Sequence, residues 1–189
     1  MFEVDARGLL CPKPVIMAKK ALTEHKDICV LVDNETSVQN LEKMAAVMGI
    51  GYDVKISEGF WAVSLSQKEI KESGAAPDKD TVVVIRSRYV GQGDDALGRV
   101  LMKSFIYTLT ESEKLPSAVI FYNGGVHLTT EGSEVIEDLR KLEGAGVEIL
   151  SCGTCLNFYG IENKLLVGSV TNMYEIVERQ MTAGKVIYP

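Results

Sequence analysis

Three of the four cysteines in this chain stand in contexts that equip a thiol for chemistry. Cys11 follows Asp5-Ala6-Arg7-Gly8-Leu9-Leu10 and precedes Pro12-Lys13-Pro14. Pro12 stands where a helix can begin, because the first backbone N–H groups of a helix have no intrahelical partner. That predicts Cys11 at the N-cap, where the positive end of the helix dipole favours the thiolate. Arg7 and Lys13 add positive charge nearby. No second cysteine lies within three residues, so the pattern suits a nucleophile that carries a group better than half of a local disulfide. Cys152-Gly153-Thr154-Cys155 is a CxxC directly after an apolar run. Such a pair can form a redox disulfide, supply half a metal site, pair a nucleophile with a neighbour, or simply be buried.

A structural zinc site takes about four ligands. Cys152, Cys155 and His127 fall short of that, and neither a metal nor a cofactor is expected. His127 follows a strand end, where it serves a thiol as base or orienting group or is an ordinary loop histidine. Cys29, inside Ile28-Cys29-Val30-Leu31-Val32, is expected in the core, and His25, between Glu24 and Lys26, on the surface. Gly91-Gln92-Gly93-Asp94-Asp95 opens a helix but fits no phosphate-loop spacing, and its two acids repel phosphate. A turn with an N-cap aspartate explains it better. Arg86 and Arg88 are expected at a solvated strand end.

The elements that position these thiols follow from periodicity. Residues 1–66 read as βαβαββ, a two-layer α/β sandwich. Phe2–Asp5 is a strand, and Cys11, Val15, Ala18 and Leu22 mark a helix face. Ile28–Val32 is a buried strand. Val38, Leu41, Ala45 and Met48 mark a second helix ending near Gly49. Tyr52–Ser57 and Phe60–Leu65 form a hairpin around Glu58-Gly59. Residues 67–80 read as a linker, with Lys68–Glu72 able to form a helical turn. Residues 81–189 alternate strands and helices, which predicts an α/β domain with a parallel sheet. Its strands are Val82–Arg86, Ala118–Tyr122, Val147–Leu150, Leu165–Ser169 and Lys185–Tyr188. Leu97, Val100, Leu101, Phe105 and Leu109 mark a long helix. Val135, Leu139 and Leu142 mark another, and Thr171 or Asn172 caps a last one. Sites in such sheets form at the carboxyl ends of the strands. The loops Tyr89–Asp95, Asn123–Leu128 and Ser151–Asn157 all lie there.

The chain has 189 residues, 46% of them hydrophobic, with net charge −6. Residues 1–66 carry seven basic and nine acidic side chains, and residues 81–189 ten and thirteen. Neither half has the basic footprint of a nucleic-acid binder. No apolar run approaches the roughly 20 residues of a membrane span. Acids at Glu3 and Asp5 argue against a signal peptide, which predicts a cytoplasmic protein with reduced thiols.

Asp5, Arg7-Gly8-Leu9, Cys11-Pro12 and Pro14, followed by an amphipathic helix, resemble the signature of the TusA/SirA-like sulfur-carrier family. Cys152–Gly160, with Asn123-Gly124-Gly125-Val126 before it, resembles the DsrE/DsrF-like group, whose sulfur-relay members carry reactive cysteines at this strand end. A TusA-like domain fused to a DsrE-like one is the build of the YedF-type selenium-metabolism family. The resemblance implies a sulfurtransferase-like carrier, with Cys11 accepting sulfur or selenium and Cys152/Cys155 passing it on. Arg7, Pro12, Lys13, Pro14, Asn123 and His127 support them. It also implies a cysteine desulfurase-like or selenium-donor protein, a downstream acceptor protein, and a homo-oligomer. Two other readings stay open: a thiol–disulfide oxidoreductase using Cys152/Cys155, and a non-catalytic regulatory binding module.

Overall fold

The computed structural model describes residues 1–10, 12–57, 59–67 and 78–189. The chain divides into two units, residues 1–74 and 75–189. Cys11, Glu58 of the expected hairpin turn, and residues 68–77 of the expected linker, with its helical turn, lie outside the described residues.

In the front unit, β1 (Phe2–Asp5) runs parallel to β2 (Asp27–Val32), with α1 (Lys13–Glu24) crossing between them. After α2 (Glu35–Met48), β3 (Gly51–Ser57) and β4 (Phe60–Ser66) form an antiparallel hairpin, and β4 pairs with β2. The four strands form one sheet in the order β1-β2-β4-β3. Strand residues alternate between faces. Val4, Ile28, Val30, Val32, Val63 and Leu65 therefore share one face, and there they meet Ala18, Leu22, Leu41 and Ala45 of the two helices. α2 is bounded as its sequence suggests: Asn34 Oδ1 accepts the N–H of Ser37 at 2.9 Å, and Gly49 ends the helix at φ +67°.

Three expectations here need correction. Cys29 is not core. It falls on the sheet face the helices leave uncovered, beside Leu31, and is only half-buried. The N-cap of α1 is Pro12, so Cys11 precedes the cap by one residue. Pro14, Ile16, Ala18 and Leu22 are the buried side chains of α1, and Val15 is half-buried. His25 stacks its ring on Phe2, centroids 4.1 Å apart.

The second unit is built on five parallel strands in the order β8-β7-β6-β5-β9. In chain order these are β5 (Asp78–Ile85), β6 (Pro116–Phe121), β7 (Glu148–Cys152), β8 (Ser169–Thr171) and β9 (Lys185–Ile187). The helices between them are α3 (Asp95–Thr110), α4 (Ile136–Gly144), α5 (Gly153–Phe158) and α6 (Met173–Thr182). Val82–Ile85 and Ala118–Phe121 are buried without interruption, as strands covered on both faces must be. Asp94 caps α3, its Oδ1 accepting the N–H of Leu97 at 2.9 Å.

The expected long helix is α3, and of the five residues that mark it Phe105 and Leu109 pack against the core. Leu97, Val100 and Leu101 are exposed, and Gly98, Met102 and Ile106 point inward. Gly98 sets the rotation: a Cβ there would stand 2.8 Å from Cβ of Tyr89, so the glycine brings the helix against that loop. The strand expected over residues 165–169 is instead Ser169–Thr171, preceded by a 3-10 turn at Glu162–Lys164. Gly168, at φ +79°, lies against Ile149, where a Cβ would be 2.2 Å from the carbonyl oxygen. Among the described residues, no helix is long and apolar enough to cross a membrane.

Candidate functional site

β7 delivers Cys152 as its last residue, and the same residue is the N-cap of α5. Its thiol is 1% exposed. One turn later, Cys155 is half-buried on α5. Gly153 makes the abrupt strand-to-helix passage possible beside β8, since a Cβ there would stand 2.8 Å from Val170 and 3.4 Å from the Thr171 carbonyl. Both cysteines are free thiols.

The loop after β6 supplies the second wall. Asn123–Leu128 is a 3-10 turn at the carboxyl end of that strand. Gly125 lies so close to β5 that a Cβ would be 2.2 Å from the Ile85 carbonyl oxygen. Thr129, just beyond, donates its hydroxyl to the Val126 carbonyl at 2.9 Å. Having spent its proton there, it accepts from Ser151 Oγ at 2.8 Å, and both hydroxyls are fully buried. This pair ties the loop to β7 one residue before Cys152.

So held, Asn123 adopts φ +50°, a left-handed conformation that asparagine tolerates better than most residues. Its backbone N–H donates to Cys155 Sγ at 3.1 Å. Its Oδ1 accepts the Tyr159 hydroxyl at 3.0 Å. The Tyr159 ring packs against His127, centroids 4.6 Å apart. Burial pushes the Cys155 thiol up, and the neighbouring Cys152 adds to that, while the Asn123 N–H pulls the other way. Burial, then the charge of Arg88, lowers His127, which favours its neutral, proton-accepting form.

The structure thus brings together Cys152, Cys155 and Asn123 directly, with His127 reached through Tyr159. Among the described residues, no three metal-ligating side chains converge, so His127 does not complete a site with the two thiols. Tyr159 is the residue the sequence reading missed. Its signal is the Phe158-Tyr159 pair that ends the CxxC helix. Arg86 and Arg88 part company: Arg86 lies 4.8 Å over the Tyr188 ring, and Arg88 faces His127.

In the front unit, Cys11 itself lies outside the described residues, but its flanks are ordered by named contacts. Arg7 makes a two-pronged bond to Asp5, Nε to Oδ1 at 2.9 Å and Nη2 to Oδ2 at 2.6 Å. The guanidinium also lies 5.4 Å over the Phe60 ring. The Arg7 hydrogen bond holds the Asp5 carboxyl at about 2. Gly8, at φ +72°, donates its N–H to Asp33 Oδ2 at 2.7 Å. Pro12 caps α1, Lys13 is exposed in its first turn, and Pro14 is buried. Asp5 and Asp33 therefore offset much of the positive charge that Arg7 and Lys13 bring to this loop.

Comparison with known proteins divides the chain along the same lines. The family model described as sulfurtransferase TusA matches residues 2–66, and the DsrE/DsrF-like family model matches residues 82–189, more than half of the chain. A SirA-like protein of Desulfitobacterium hafniense is 43% identical over 36% of this chain and 100% of its own, with a TM-score of 0.35. A protein of unknown function from Methanobacterium thermoautotrophicum is 27% identical over 59% of this chain and 100% of its own, with a TM-score of 0.46. The ychN protein of E. coli is 18% identical over 59% of this chain and 99% of its own, with a TM-score of 0.47. No curated protein matches.

Proposed function

We propose, since the chain belongs to the DsrE/DsrF-like family and carries a TusA domain ahead of that part, that it is a two-station carrier of sulfur or selenium. Cys11 is the first station and the Cys152/Cys155 pair the second. The Cys11 thiolate attacks the terminal sulfur of a donor persulfide, the donor's S–S bond breaks, and the donor thiolate leaves. Cys11 then holds the atom as a persulfide, with no net oxidation. A second exchange of the same kind moves it to Cys155, within the chain or to a neighbouring subunit. The donor is a cysteine desulfurase-like or selenium-donating protein, and a further acceptor protein unloads the second station.

One observation carries the second station: Cys155 Sγ is half-buried, receives the Asn123 N–H at 3.1 Å and has Cys152 beside it. A backbone N–H aimed at sulfur stabilises the thiolate when a docking partner draws the proton away. Cys152, being buried, suits a resolving role behind Cys155.

The same proximity favours a second reading, a dithiol–disulfide couple. In that chemistry Cys152 attacks the inner sulfur of a Cys155 persulfide, releases hydrosulfide and leaves a Cys152–Cys155 disulfide that a reductant must reopen.

Peptide-resolved mass spectrometry of the reduced full chain, incubated with a cysteine desulfurase and cysteine and, separately, with the desulfurase and selenocysteine, separates the two. Carriage predicts an added sulfur or selenium on Cys11, followed by label on Cys155 that disappears in Cys11→Ser. A Cys152–Cys155 disulfide formed without any adduct, independent of Cys11, assigns the pair to redox chemistry and removes the second station.

A further inference from the structure

Behind the His127 ring lies a cavity of about 160 Å³ that the thiol chemistry does not use. Its floor is apolar, made by the buried Met102 and Val135. Around the rim stand Arg88, Arg99, Lys103, His127, Glu131 and Glu134. The two glutamates are already engaged, Glu134 by Lys103 at 3.4 Å and Glu131 by Lys164 at 3.8 Å. Among the described residues, Arg88 and Arg99 make neither an ion pair nor a hydrogen bond with any side chain. They come from different elements, Arg88 from the loop after β5 and Arg99 from α3, yet they open on the same hollow.

Two unpaired guanidinium groups on one concave, apolar-floored hollow make an uncompensated positive field. Low-dielectric walls concentrate such a field rather than letting water spread it. Guanidinium forks match the paired oxygens of an oxyanion, and two forks on one cavity can hold it from two sides. The cavity is smaller than the roughly 300–1,000 Å³ that drug-sized ligands occupy, which limits the occupant to a compact ion.

We infer that this cavity is a receptor for a compact oxyanion, a carboxylate or an inorganic phosphate-type ion, gripped by Arg88 and Arg99 with His127 at its wall. The site stands apart from the cysteines, so its success or failure is separable from that of the carrier reading. A bound anion also offsets the Arg88 charge that lowers His127. His127 thereby becomes easier to protonate, and its ring reports occupancy.

The test uses the full chain with acetate and inorganic phosphate as separate probes, at constant ionic strength set with chloride, followed by NMR of the histidine rings. The protein has two histidines, and His25, stacked on Phe2 in the other unit, is the internal control. A saturable shift of the His127 signals, with His25 unmoved, is expected for at least one probe. Tighter binding of acetate assigns the cavity to carboxylates, and tighter binding of phosphate to inorganic oxyanions. Arg88→Gln/Arg99→Gln should weaken the affinity at least tenfold while circular dichroism stays unchanged, because both side chains are exposed. The single Arg99→Gln, far from His127 in sequence, should weaken it in the same direction. Absence of a saturable His127 response to both probes, or undiminished affinity in the double arginine variant, overturns the assignment.

Discussion

The backbone N–H of Asn123 and the sulfur of Cys155 meet at 3.1 Å across 32 residues of chain. The contact joins the carboxyl ends of two neighbouring strands, β6 and β7. It depends on Asn123 being held at φ +50° by a loop with little freedom of its own. The hydrogen bond lowers the cost of charge on that sulfur, while burial and the Cys152 thiol raise it, and the latter two prevail. Cys155 is thus a protonated thiol at rest with an anion-stabilising donor already in place.

Alkylation kinetics test that balance. Because burial and Cys152 hold its thiol up, the Cys155 rate should climb with pH to a midpoint above that of an ordinary thiol. Cys152→Ala should move the midpoint down. Cys152, at 1% exposure, should react only when unfolding uncovers it. Peptide-resolved iodoacetamide labelling from pH 6 to pH 10 measures all three. Faster labelling of Cys152 than of Cys155 in the folded chain contradicts the assignment of Cys155 as the accessible sulfur.

Gly125 should be among the least replaceable residues of the loop. A Cβ would lie 2.2 Å from a backbone carbonyl oxygen of β5, which cannot swing aside as a side chain does. Gly125→Ala is expected to cost about 2–3 kcal/mol by overpacking. It should also displace Asn123, lowering the Cys155 alkylation rate at high pH. Gly144→Ala is the control: it ends α4 in open space and should be neutral or stabilising by up to about 1 kcal/mol. Denaturant titration of both variants gives the comparison.

The Thr129–Ser151 hydroxyl pair should behave as a unit. Thr129→Val leaves the buried Ser151 hydroxyl without its partner, at a cost of about 1–3 kcal/mol. Ser151→Ala alone should cost less, because Thr129 keeps its bond to Val126. Adding Ser151→Ala to Thr129→Val should recover part of the loss, so the two changes are expected to be non-additive. Equal and additive losses in a double-mutant cycle mean that the pair does not tie the loop to β7.

Most strands and helices and the parallel sense of the second sheet are legible because long apolar periodicities dictate them, while the strand orders are not: Val82–Ile85 and Ala118–Phe121 admit little but buried parallel strands. Local chemistry read equally well, as at the Asp94 cap of α3 and the Gly49 end of α2. The failures share a cause. The apolar residues of α3 mark the helix but not its rotation, which is decided by Gly98, a residue with no side chain to count. Cys29 sits in an apolar run, yet only one face of that sheet carries helices, and periodicity does not say which face stays uncovered. The Asn123–Cys155 contact was beyond reach for a different reason. It is made by a backbone N–H whose direction depends on a positive φ, and neither appears in residue types. His127 stands out in the sequence, but its tie to the thiol runs through Tyr159.

The Asp5–Arg7 pair gives the front unit an acid dependence of predictable sign. The Asp5 carboxyl lies at about 2 in the folded chain against 3.8 for the free group, chiefly through its hydrogen bond with Arg7. A depressed carboxyl stabilises the fold above its unfolded value and loses that contribution as pH falls through the folded one. The contribution is therefore complete above about pH 4 and fades toward pH 2. Both groups are open to solvent, so the effect is small and shrinks with added salt. Asp5→Asn removes it, keeping the shape and losing the charge. The unfolding midpoint of the natural chain should exceed that of Asp5→Asn by a constant margin from pH 7 down to pH 4, and the margin should then close toward pH 2. A margin that stays flat across that acid range means the pair is not what orders the loop before Cys11.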